Sequence, residues 1–151
     1  MNITRGIIIL VAFMGVILSA GYFTMGSPPN IVDNDGLYER LGEKEGITKI
    51  VRSFIFKLVR DMRIKVRFAY INMPRFRALL IEQVCEATGG PCSYSGANMG
   101  EAHKGLEVTK NEFKIFIEHF VEALAEASVG HEDQEAIANL FESMRGDIVG
   151  H

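Results

Sequence analysis

Two kinds of hydrophobic patterning divide the 151-residue chain. From Gly6 to Met25 the apolar side chains form an almost unbroken run, fifteen of twenty positions with no charge among them. Twenty helical residues at ~1.5 Å each cover ~30 Å, the hydrocarbon thickness of a bilayer. Beyond Ile31 the pattern changes to apolar residues spaced i, i+3, i+4, and strand-like alternation is almost absent. The chain therefore predicts one apolar N-terminal helix followed by an all-α domain of about five helices.

Within that domain Asp33 to Asp35 offer N-caps for a short helix showing Leu37, Tyr38 and Leu41, which Gly42 stops. A longer helix follows, with Ile47, Ile50, Val51, Phe54, Ile55, Leu58 and Val59 on one buried face and Lys49, Arg52 and Lys57 on the solvent side. An irregular link through Phe68 and Tyr70 leads to Asn72, an N-cap with Pro74 in the first turn behind it. That third helix shows Phe76, Leu79, Leu80, Gln83, Val84 and Ala87 on one side and ends at Gly89-Gly90. From Gly90 to Val108 the chain is rich in Gly, Ser and Asn, with space for about one helical turn around Met99 to Lys104. So long a segment without its own structure in a compact domain is usually functional or disordered. Thr109-Lys110-Asn111-Glu112 then fits a capping box, ahead of an apolar face of Phe113, Phe116, Ile117, Phe120, Val121 and Leu124. Gly130 breaks this helix, and Ile137, Leu140, Phe141, Met144 and Ile148 mark a last one.

Charge narrows the functional classes. With 19 acids against 16 bases the net charge is −3, and no dense basic face exists for nucleic-acid binding. Arg5 is the only charge before the apolar run, and Asp33 and Asp35 follow it. The positive-inside rule then puts the amino terminus in the cytoplasm and the domain outside it, anchored at the inner membrane. A cleaved secretory signal ending near Ser19-Ala20-Gly21 is the alternative, and it delivers the domain to the periplasm as well. The expected organisation is an anchor or signal over 1–26, a linker over 27–36 and a folded domain over 37–151.

No Gly-x-Gly-x-x-Gly, Walker, Gly-x-Ser-x-Gly or His-Glu-x-x-His sequence occurs. Cys85 and Cys92 are too few for a zinc site. They flank the end of the third helix and could pair in an exported domain, but the chain must bend closely to bring them together, so small packing residues are the favoured reading. Among four histidines, His131 and His151 lie in polar surroundings, and His119 adjoins an apolar helix face, where packing is the ordinary outcome. His103 differs, because small neighbours in Met99-Gly100-Glu101-Ala102-His103-Lys104-Gly105 leave room for a flat cofactor.

From Leu37 onward the chain resembles the group I truncated haemoglobins. The resemblance rests on Leu37-Tyr38-Glu39-Arg40-Leu41-Gly42, Asn72-Met73-Pro74-Arg75 and Ala87-Thr88-Gly89-Gly90-Pro91 followed by Tyr94 and Gly96. Met99 with His103, and Met144-Arg145-Gly146-Asp147-Ile148-Val149, complete it. It implies a two-over-two helical sandwich holding b-type haem without a covalent link, since no Cys-x-x-Cys-His motif is present. His103 matches the proximal iron ligand, and a neutral imidazole there leaves the sixth position open to a diatomic gas. Phe68 matches the aromatic residue packed on the haem face. Arg75, Arg77 and Lys104 are candidates for the haem propionates.

The distal positions depart from the family pattern. Where members often carry a tyrosine and a glutamine, this chain has Ile55 and Leu80, with Phe76 at the gate. Bound dioxygen would lose a hydrogen bond worth ~0.5–1.5 kcal/mol, or up to ~3 for a charge-assisted one, lowering affinity by roughly one to two decades. Gln83 could supply a substitute donor, or sit at the pocket rim. The first functional expectation is thus a membrane-tethered gas-binding haem protein. A nitric oxide dioxygenase or peroxidase-like enzyme, served by an unidentified reductase, is the second, although no distal acid–base group is evident. A gas or redox sensor acting through partners is the third.

Overall fold

The computed structural model describes residues 36–151, and the expected N-terminal membrane helix and all of its linker but Gly36 lie outside them. Seven α-helices follow in order: α1 (Leu37–Arg40), α2 (Glu43–Leu58), α3 (Met73–Ala87), α4 (Met99–His103), α5 (Lys110–Glu126), α6 (His131–Ser143) and α7 (Arg145–Ile148), with a 3-10 turn at Lys65–Phe68. Among the described residues there is no strand, only an isolated bridge between Val108 and Val149. The all-α architecture agrees with the helical spacing, but the last predicted helix is two, α6 and α7, divided at Met144.

Local chemistry sets the boundaries. The Asn72 side chain accepts from the Arg75 N–H and Pro74 occupies the first turn of α3. At the other end Gly89, with φ 87°, lets its own N–H reach the Glu86 carbonyl at 3.1 Å and that of Gly90 reach Cys85 at 2.8 Å. This pair of bonds closes the last turn in a Schellman arrangement. The Thr109–Glu112 capping box starts α5. Its end differs from expectation: Ser128, at φ 60°, takes the left-handed position, with Val129 N–H on the Leu124 carbonyl at 3.1 Å. Gly130 instead serves as N-cap of α6.

The core lies where α2 packs against both α3 and α5, and α5 against α6. Ile47, Ile50, Val51, Phe54 and Leu58 are buried along α2. Val59, expected on that face, forms the C-cap and is exposed, because the helix ends before its side chain can turn inward. Phe54, Phe116, Phe120 and Phe141 make successive ring contacts with centroids 4.8–5.4 Å apart, tying α2, α5 and α6 together. Phe54 and Phe120 are fully buried, so either phenylalanine cut to alanine should cost about 3–5 kcal/mol.

Two close approaches fix the end of α3, one against the start of the domain and one against the loop that follows. A Cβ on Gly90 would lie 2.5 Å from the Tyr38 ring. Cys85 and Cys92 form a disulfide with Cα atoms 5.7 Å apart, which corrects the reading of them as separate packing residues. The Schellman turn supplies the close bend that helix geometry alone did not promise.

Candidate functional site

Between α3 on one side and α4, α5 and the α6–α7 corner on the other lies a cavity of about 670 Å³. Its size is within the range of cofactor pockets, ~300–1,000 Å³. The 3-10 turn and α3 contribute Phe68, Phe76, Leu79, Leu80 and Gln83, and α5 to α7 contribute Phe113, Phe116, Phe141, Met144 and Ile148. Phe68 and Phe76 pack with ring centroids 5.6 Å apart. The wall is overwhelmingly apolar because α3 and α5 each turn one more stripe of hydrophobic residues than their contacts with α2 use.

His103, at the end of α4, also lines the cavity. The helix is only five residues long, started by the Asn98 side chain accepting from the Glu101 N–H. This single turn places His103 Nδ1 at 2.9 Å from the Met99 carbonyl. A carbonyl can only accept, so Nδ1 carries the proton and Nε2 keeps its lone pair. Nε2 has no partner among the described residues.

Of the residues singled out in sequence, Phe68, Phe76, Leu80, Gln83 and His103 are thus brought together in one wall. Ile55 is not part of that wall; it is partly buried on α2 against the core. The Gln83 amide directs its N–H groups at the sulfurs of Met99 at 3.5 Å and Met144 at 3.3 Å, joining α3 to α4 and to the α6–α7 corner. Thioethers are weak acceptors, but they occupy the amide that could otherwise serve as a distal donor. Arg75, Arg77 and Lys104 are exposed and do not line the cavity.

The cavity wall also contains Arg67, its only Arg or Lys among the described residues, whose partners the sequence does not announce. Its guanidinium donates to Glu112 at 2.6 and 3.0 Å and to the Leu106 carbonyl at 3.0 Å. The bridge joins the turn carrying Phe68 to the loop just after His103. The Arg67 hydrogen bonds, aided by the Thr109 backbone and hydroxyl and opposed by burial, hold the Glu112 carboxyl down to about 2. The capping box made Glu112 visible in sequence as a helix start, but nothing local announces its second partner, 45 residues away.

His119 occupies a different setting, buried on α5, with Nε2 at 2.8 Å from Asp61 Oδ2 and Nδ1 at 3.4 Å from Glu122. Asp61 also accepts from the Arg63 side chain and backbone, which hold its carboxyl well below the usual range. Among the described residues no three His, Cys, Asp or Glu side chains are arranged to hold a metal ion on their own.

The bacterial-like globin family matches residues 36–149. A group 1 truncated hemoglobin from Tetrahymena thermophila is 31% identical, covering 76% of this chain and 94% of that one. Another from Mycolicibacterium paratuberculosis is 29% identical over 74% of this chain and 82% of its own length. The crystal structure of truncated hemoglobin from Tetrahymena pyriformis in its Fe(III) form superimposes with a TM-score of 0.74 at 30% identity, covering 76% of this chain and 98% of that one. The Leu37-to-Gly42 start, the Gly89-Gly90 helix end, the short α4 and the matched span agree, and the chain belongs to the group 1 truncated haemoglobins.

Proposed function

We propose that the cavity would hold haem, with His103 as the residue that binds its iron, and that the protein takes up a diatomic gas there. One observation carries this reading: the apolar cavity contains a histidine with one ring nitrogen spent on the backbone and the other unpaired. Haem bound there would supply an iron centre able to bind a small gas. The Met99 carbonyl fixes the tautomer and ring angle of His103, as backbone acceptors commonly do for metal-bound histidines. Phe68 and Phe76 offer flat apolar contact to the macrocycle, and Arg67 is the cation in the wall for a propionate. Cys85 and Cys92 are joined to each other, so neither is available for a thioether link, which supports non-covalent b-type haem.

Phe76 and Leu80 offer no hydrogen bond to a gas, and the Gln83 amide is already engaged. Ligands that polarise strongly on binding gain less here than less polar ones such as carbon monoxide. Reversible gas binding is therefore favoured over peroxide cleavage, which needs a distal acid–base group. A separate reductase keeping the iron ferrous belongs to this proposal. So does placement outside the cytoplasm, tethered through residues 6–25: the disulfide suits an oxidising compartment.

Titration of haem into the full-length apoprotein tests the reading. Saturation at one haem per chain, with a b-type pyridine haemochrome and complete extraction of the haem by acidified organic solvent, is expected. A chain that stays colourless after reconstitution contradicts it.

A further inference from the structure

Exposed large hydrophobic side chains are concentrated in one part of the domain. Phe56, Val59, Met62, Val66, Tyr70 and Ile71 all fall where the chain leaves α2 and leads to α3; outside this stretch only Leu106 joins them among the described residues. Val66, Tyr70 and Ile71 lie at the cavity, so the haem reading accounts for part of their exposure. It does not account for Phe56 at 58% or Met62 at 75%, which stand outside the cavity wall.

The same stretch is basic. Along the sequence Lys57, Arg60, Arg63, Lys65 and Arg67 outnumber the single acid Asp61, in a chain whose net charge is −3, and Glu126 of α5 lines the same hollow as Phe56 and Arg60. Lys57, Arg63 and Arg67 are paired with Glu122 and Glu126, with Asp61 and with Glu112. Arg60 and Lys65 have no carboxylate partner among the described residues, and Arg60 lies over the Phe56 ring 4.2 Å from its centroid. Exposed aromatic and aliphatic side chains interleaved with free cations match the boundary between lipid headgroups and acyl chains, where long basic side chains keep their charge in water. Anionic headgroups complement those cations. A protein surface would have to supply both an apolar hollow and acids at the same spacing.

We propose that the stretch from Phe56 to Ile71 docks on an anionic phospholipid bilayer. Phe56, Met62 and Tyr70 enter the interface, and Arg60 and Lys65 meet the headgroups. The inference rests on the tether reading for proximity to a bilayer. Because Val66 and Tyr70 also line the cavity, docking brings the cavity mouth to the lipid surface.

The test uses the full chain with Met62→Cys or, as a control on exposed α6, Glu135→Cys, each labelled with an environment-sensitive fluorophore. The sequence contains two cysteines, already joined to each other, so the label enters only at the new site. Vesicles of phosphatidylcholine, with and without phosphatidylglycerol, carry a nitroxide-lipid quencher. With phosphatidylglycerol present, quenching at position 62 should exceed that at 135 several-fold. It should fall to the control level in the double variant Arg60→Glu, Lys65→Glu. Equal quenching at both positions while the chain sediments with vesicles overturns the docking surface and leaves the tether intact. Sedimentation only with anionic vesicles, with position 62 quenched, supports docking and removes the tether. Failure to sediment with either vesicle overturns both. A shift at position 62 in detergent that grows with protein concentration means a second copy covers the surface, and also overturns the proposal.

Discussion

His103 and His119 are both largely sheltered within one small helical domain, and their surroundings are opposite. His103 ends a five-residue helix beside an apolar cavity, with one nitrogen on a backbone carbonyl and the other unpaired. His119 sits mid-helix on α5 with carboxylates facing both ring nitrogens, and it ties that helix to the end of α2 through Asp61. On the proposed reading, what would separate an iron-binding histidine from a structural one is therefore not burial. It is whether a lone pair is left over and what kind of space it faces.

The largest expected effect breaks that contrast at His103. His103→Gly should lose haem retention by at least roughly a hundredfold, measured by transfer to apomyoglobin, because among the described residues this is the one imidazole in the wall. Opening the disulfide by Cys92→Ser should lower stability by about 2–3 kcal/mol for a loop this short, read from denaturant midpoints. His119→Ala should cost about 2 kcal/mol by stripping a donor from Asp61, while leaving the haem spectrum unchanged. A spectrum altered by His119→Ala and preserved in His103→Gly would reverse the two roles.

The distal wall offers a gentler probe. Leu80→Gln should slow dioxygen dissociation about tenfold, with carbon monoxide less affected, in flash photolysis. Ile55→Tyr should do less, since Ile55 stands outside the cavity wall. The smallest effect is pH-dependent. Glu112 is depressed to about 2 in the folded protein from an ordinary 4.5, so its contribution is complete above about pH 5 and is lost as pH falls toward 2. With Arg67 partly open to solvent this amounts to about 1 kcal/mol. Glu112→Gln should flatten the acid limb of the stability curve by that amount.

Most helices were legible because their signals are local. Asn72 with Pro74, Gly89-Gly90 and the Thr109–Glu112 box each act within one turn, and the structure realises all three. The split at Met144 and the stop at Ser128 were not legible, because neither residue type is a strong breaker and tertiary packing decides where such helices end. His103 was visible from its setting and from the resemblance. Its tautomer was not, since it depends on the Met99 carbonyl. The links from Arg67 to Glu112, from Gln83 to Met144 and from Asp61 to His119 span 45, 61 and 58 positions. Distance along the sequence carries no trace of them. The disulfide was misread because its closeness comes from the α3 terminus, not from the spacing of the two cysteines.

Resonance Raman spectra of the ferrous, gas-free full-length chain, with and without isotope-labelled histidine, test the central claim most directly. The expected result is an iron–imidazole stretch that shifts with the label, vanishes in His103→Gly, returns on adding imidazole and is unmoved by His119→Ala. A label-sensitive iron–imidazole band that persists in His103→Gly would contradict it.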